Sequence, residues 1–70
     1  MALSDFIKKQ RKQHHLTQRE LADRSGVGLR FIREIESGKD TLRMDKVNIV
    51  LELFGRCLEP VLKHPDQEGD

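Results

Sequence analysis

Thr17 and Glu20 stand three residues apart immediately ahead of Leu21 and Ala22, and Ser25-Gly26 closes the same segment a short way downstream. A threonine that accepts from the amide three residues on, whose carboxylate reaches back in turn, is a capping box and starts a helix. A following glycine, free to enter the left-handed region, ends one. Both ends of a short helix are therefore written into the sequence, with Leu16 placed just before the cap to pack on Leu21 as a hydrophobic staple. Gly26-Val27-Gly28 allows only a tight connector before apolar residues resume helical spacing at Leu29. So short a helix is not stable alone in water. The remainder of the chain must supply the surface that buries the pair.

Helical periodicity supplies it. From Leu3 to His14, the residues Leu3, Phe6, Ile7 and the stem of Arg11 fall about one turn apart on a single face, with Lys8, Lys9 and Lys12 on the other sides. A third helix is expected from Leu29 to Ser37, burying Ile32 and Ile35 with Phe31 beside them and stopping at Gly38. A polar loop, Lys39-Asp40-Thr41, leads to a fourth from Met44 to Phe54, which buries Val47, Val50, Leu51 and Phe54 and ends at Gly55. Beyond it, Cys57-Leu58-Glu59-Pro60-Val61-Leu62-Lys63 is too short and proline-interrupted for a helix and reads as an extended edge strand. A lone strand cannot satisfy its own backbone groups, so the same strand of a second copy is the expected partner. Three segments follow: residues 1–55 as the helical domain, 56–63 as a dimerisation strand, and 64–70 as a polar, disordered tail.

Seventy residues, 36% hydrophobic and 36% charged, allow only a thin core, which oligomerisation would reinforce. A substrate cleft would compete for the same few apolar side chains, and a catalytic function is not expected. Cys57 is the only cysteine, which excludes an internal disulfide and argues against a cysteine zinc site. The adjacent His14 and His15 point to different helix faces with no third ligand near in sequence, so neither metal nor cofactor is expected. No apolar run approaches the ~20 residues that span a bilayer. The expected setting is the cytoplasm, around the nucleoid in a bacterial cell, with no membrane partner.

Charge is uneven beneath a net value of +1. Met1 to Arg33 carries eight basic residues against three acids, whereas Glu34 to Asp70 carries five against nine. A basic half beside an acidic half directs one face toward a polyanion. Two short helices joined by a glycine-containing turn form a helix-turn-helix, whose second helix projects an outer face. On that face stand Leu29, Arg30, Arg33 and Glu34. An arginine near the start of such a helix can reach guanine O6 and N7 together, and Glu34 could accept from a cytosine amine or hold an arginine in place. Lys8, Lys9 and Lys12 could steer phosphates or form a solvated face.

The pattern Leu16-Thr17-Gln18-Arg19-Glu20-Leu21-Ala22, then Ser25-Gly26-Val27, then Ile32-Arg33-Glu34-Ile35-Glu36-Ser37-Gly38-Lys39 resembles the phage-repressor, Cro-like or XRE-type helix-turn-helix family. Thr41-Leu42-Arg43-Met44-Asp45-Lys46-Val47 and the 57–63 segment extend the likeness to HipB-like antitoxins of toxin–antitoxin operons. The resemblance implies an all-α, lambda-repressor-like domain of four to five helices with a short C-terminal β-strand pairing across a homodimer. It implies bases read by Leu29, Arg30, Arg33 and Glu34. Phosphates would be held by Thr17, Gln18, Arg19, Lys39 and Arg43, and Arg11 and Glu36 would form a partly buried structural pair. Cys57, Leu58, Val61 and Leu62 would form the dimer strand. Many relatives carry Ser, Thr or Gln where this chain has Gly28-Leu29-Arg30, so base readout here would rest on arginine.

The function these features imply is sequence-specific repression at a palindromic double-stranded DNA operator, by a homodimer. As the subgroup resemblance has it, the chain is the antitoxin of its operon and neutralises a HipA-like kinase toxin. A stand-alone phage-type or cellular repressor without a toxin, and a protein-interaction module that has lost DNA binding, are the alternatives.

Overall fold

Four helices make up the regular structure of residues 2–61, the residues that the computed structural model describes: α1 (Ala2–Gln13), α2 (Gln18–Ser25), α3 (Leu29–Glu36) and α4 (Met44–Glu52). Their ends are set by short-range hydrogen bonds. At the start of α2, Thr17 Oγ1 accepts from the Glu20 amide at 3.1 Å and the Glu20 carboxylate accepts from the Thr17 amide at 2.8 Å. The capping box expected from the sequence is complete.

Three helices end on one device. A residue three or four positions past the helix donates to the carbonyl five residues back, and the residue before it, in the left-handed region, donates three back. At α3 these are Lys39 to Glu34 and Gly38 to Ile35, and at α4 they are Arg56 to Leu51 and Gly55 to Glu52. At α1 they are Leu16 to Arg11 and His15 to Lys12. There the left-handed residue is His15, at φ 56°, which strains its Cβ against the neighbouring backbone as glycine would not.

The core lies where the helices converge. Ile7 of α1, Leu16 before α2, Leu21 and Ala22 of α2, Phe31, Ile32 and Ile35 of α3, and Val47, Val50 and Leu51 of α4 form one buried cluster. Leu3, Phe6, Val27, Leu29, Leu42 and Phe54 pack around it, half-buried. Both α1 and α2 pack on α3, and α4 closes against α2. Ala22, small enough for close helix packing, is buried on the α2 side of this core. The described helices number four, the lower of the two values expected.

Two expectations are corrected. The fourth helix stops at Glu52, and Phe54 lies in the turn beyond it, half-buried, with its ring 5.2 Å from that of His14. No strand forms among the described residues: Cys57, Leu58 and Val61 lie in an irregular, exposed segment, and Leu62 falls outside the described part. The physical reason is that one chain offers this segment no second strand to pair with. Instead the Leu58 amide donates to Asn48 Oδ1 of α4 at 2.7 Å. Cys57 is a free, exposed thiol. The tail expected at 64–70 lies outside the described residues.

The helix ends make a paired stability prediction. Thr17→Ala removes the cap and should destabilise the fold by about 1 kcal/mol. His15→Gly relieves the left-handed strain and should stabilise it by about 1 kcal/mol. Thermal melts followed by circular dichroism read both. A lower melting temperature for the glycine variant would show that His15 gains more from its surroundings than its backbone loses.

Candidate nucleic-acid interface

The amphipathic division of α3 creates the site. Phe31, Ile32, Ile35 and Glu36 are buried, which leaves Arg30 and Arg33 exposed, with Leu29 and Glu34 half-buried at the margin. The Arg30 side chain is 93% exposed. No ion-pair partner for Arg33 lies among the described residues, so its guanidinium is free to meet an anion or a base edge. Gly28 caps α3 without a side-chain hydrogen bond.

Glu34 sits between two cations. Its Oε2 lies 3.0 Å from Lys39 Nζ and 3.8 Å from Arg30 Nε, so three expected contact residues, from the start and middle of α3 and the loop beyond, come together. Lys39 is further held by its own amide, which donates to the Glu34 carbonyl at 3.2 Å.

At the start of α2, Thr17, Gln18 and Arg19 stand in succession, Thr17 and Arg19 exposed and Gln18 half-buried. The Thr17 oxygen and the Glu20 amide are consumed by the capping box, so the amides left for an incoming phosphate oxygen are those of Gln18 and Arg19. The same cap holds the exposed Glu20 carboxyl below its usual range, first through the Thr17 amide and then through its hydroxyl.

Behind this surface lies a buried carboxylate. Glu36, its side chain 4% exposed, accepts from Arg11 Nε at 2.7 Å and Nη2 at 3.1 Å, and from Gln18 Nε2 at 3.2 Å. Arg11 Nη1 donates to the Leu16 carbonyl at 2.8 Å. Three helices and the α1–α2 turn are thus tied to one charge, and no buried side-chain polar atom among the described residues lacks a partner. The contact of Gln18 with Glu36 escaped the sequence reading. It orients the residue expected at a phosphate.

Arg43 is placed apart from these groups in its bonding. It precedes α4 and is engaged by Asp45, with Nη2 2.6 Å from Oδ2, so a phosphate would have to compete with that carboxylate. The guanidinium holds the Asp45 carboxyl below its ordinary value. Asp45 stands in the first turn of α4, where a carboxylate also complements the helix dipole.

An exposed basic helix face, held at a fixed angle to a second helix whose leading amides are open, is a protein surface shaped for a duplex polyanion. The family model described as helix-turn-helix matches residues 7–59, and the chain belongs to that XRE-like helix-turn-helix family. A relative from Sinorhizobium fredii (strain NBRC 101917 / NGR234), named "Uncharacterized HTH-type transcriptional regulator y4mF", is 51% identical over 49 residues. The match covers 70% of this chain and 64% of that relative, so the chain spans less than two thirds of the relative's length.

The buried carboxylate carries a prediction. Glu36→Ala leaves Arg11 largely buried without its counter-charge and should cost about 3–5 kcal/mol of stability. Glu36→Gln, which keeps the acceptor oxygen and the size, should cost less. Urea titration of both variants measures the difference. Equal, small losses would show that the pair is not what fixes α3 against α1.

Proposed function

We propose that the chain is a sequence-specific DNA-binding regulator that represses transcription, with α3 lying in the major groove. The observation that carries this reading is the outward face of α3, where Arg30 and Arg33 stand exposed while Ile32 and Ile35 anchor the helix beneath them. Leu29, Arg30, Arg33 and Glu34 read base edges. Thr17, Gln18 and Arg19 at the start of α2, with Lys39 and Arg43 beyond α3, hold the phosphates on either side. Family membership and the name of the S. fredii relative support the regulatory role.

The working form in this reading is a homodimer on a palindromic operator, its half-sites one helical turn or a multiple apart. The large exposed apolar side chains support it: Met44, Ile49, Leu53, Leu58 and Val61 all belong to α4 or the segment after it. A second copy seated there covers them, and its 57–63 segment supplies the missing strand partner. The resemblance of residues 41–47 and 57–63 to HipB-like antitoxins supports a further role, restraint of a HipA-like kinase toxin encoded beside it. Co-purification with the neighbouring gene's product tests that role, and a chain that represses without such a partner is the stand-alone repressor.

Fluorescence anisotropy with duplex DNA upstream of the chain's own gene tests the DNA reading. Arg33→Ala should weaken binding to that duplex by about 1–3 kcal/mol and binding to scrambled duplex much less. Gln18→Ala should weaken both alike, since phosphates carry no sequence. Unchanged binding by the Arg33 variant removes Arg33 from the reading set.

Val61, 81% exposed, tests the dimer. Val61→Asp should shift sedimentation from dimer toward monomer without lowering helicity. A dimer that persists at the same concentration would place the interface elsewhere.

A further inference from the structure

Arg30 and Glu34 lie one helical turn apart on the exposed face of α3, a guanidinium nitrogen 3.8 Å from a carboxylate oxygen. An ion pair this exposed contributes little to folding. The carboxylate is nevertheless fixed from its other side by Lys39 Nζ at 3.0 Å, and Lys39 is itself anchored to the Glu34 backbone. A donor fork and an acceptor therefore stand side by side, in a set order, on the surface that faces the groove.

We infer that Arg30 and Glu34 act as one unit that reads a single G·C pair, with Lys39 as the positioning residue that holds the carboxylate. This rests on the DNA-binding reading of α3. The major-groove edge of a G·C pair presents two neighbouring acceptors, guanine N7 and O6, and then the cytosine N4 amine donor. Two guanidinium N–H groups followed by a carboxylate oxygen match that order. An A·T pair presents acceptor, donor, acceptor. Against it the guanidinium meets the adenine amine and the carboxylate meets thymine O4, so both members of the unit face a like group. Exclusion of water from the groove makes such mismatches costly. An arginine acting alone discriminates through its own end only. The pair discriminates through both strands.

The test uses the full chain and duplexes it selects from a library with a randomised central tract. Each G·C pair of the selected duplex is then replaced in turn by A·T, or by inosine·C, which leaves the major-groove pattern intact. One G·C pair per half-site should lose about 10- to 100-fold in affinity on change to A·T and almost nothing on change to inosine·C. In Arg30→Ala and in Glu34→Gln, the penalty at that same pair should shrink about tenfold, and the double variant should shrink it no further than either single one. Glu34→Gln retains the size of the side chain and an oxygen for Lys39, and its melting curve checks that the fold is kept. Variants that relax different base pairs, additive effects, or an unchanged penalty in Glu34→Gln would overturn the inference. If the wild-type chain enriches no sequence, the DNA reading itself fails, in an arm that involves no variant, and the inference falls with it.

Discussion

Glu36 is a charge taken almost wholly out of water at the end of the helix that carries the site, and the structure is arranged around meeting its demands. An unpaired buried carboxylate is among the most costly features a small fold can contain. Here two arginine nitrogens from α1 and one amide nitrogen from α2 satisfy it, while the same arginine reaches the carbonyl of Leu16 in the turn between those helices. The angle between α2 and α3 is thereby set by directional bonds as well as by apolar packing. Because Gln18 is both the first residue of α2 and a ligand of Glu36, the leading end of one helix is held in register with the next.

The rest follows from scarcity of apolar side chains. A chain of 70 residues has enough to bury one side of each helix and little more. On α3 the division leaves a charged outer face, and on α4 and the segment beyond it leaves apolar side chains uncovered. The two faces belong to different elements. Charge is distributed to match, with carboxylates kept beside several of the exposed cations: Glu34 by Lys39 and Arg30, Asp45 by Arg43.

Much of this is legible in the sequence. The helix ends at Thr17, Gly26, Gly38 and Gly55 are short-range features, decided by residues within five positions of each other, and local sequence carries such information in full. The core residues Ile32, Ile35, Val47, Val50 and Leu51 follow from periodicity for the same reason. The positions of Arg11 and Glu36 came through family resemblance, because no local pattern announces a contact between residues 25 apart. What escaped was of three kinds. His15 in a left-handed cap contradicts the residue preference on which such readings depend, and the tolerance comes from the surrounding hydrogen bonds. The Gln18 to Glu36 and Arg43 to Asp45 contacts depend on rotamers chosen in three dimensions. The strand expected at 57–63 depends on a partner that lies outside a single chain, and in its place the Leu58 amide finds Asn48.

The central claim is that the outer face of α3 and the leading end of α2 meet a double helix together. Amide correlation spectra of the isotope-labelled chain, recorded as a mixed-sequence DNA duplex is titrated in at low salt, examine both elements residue by residue. The largest shifts should fall on Gln18, Arg19, Leu29, Arg30, Arg33 and Lys39, with Met44 to Glu52 little changed. Shifts centred on α4, or none until the salt is removed altogether, would contradict it.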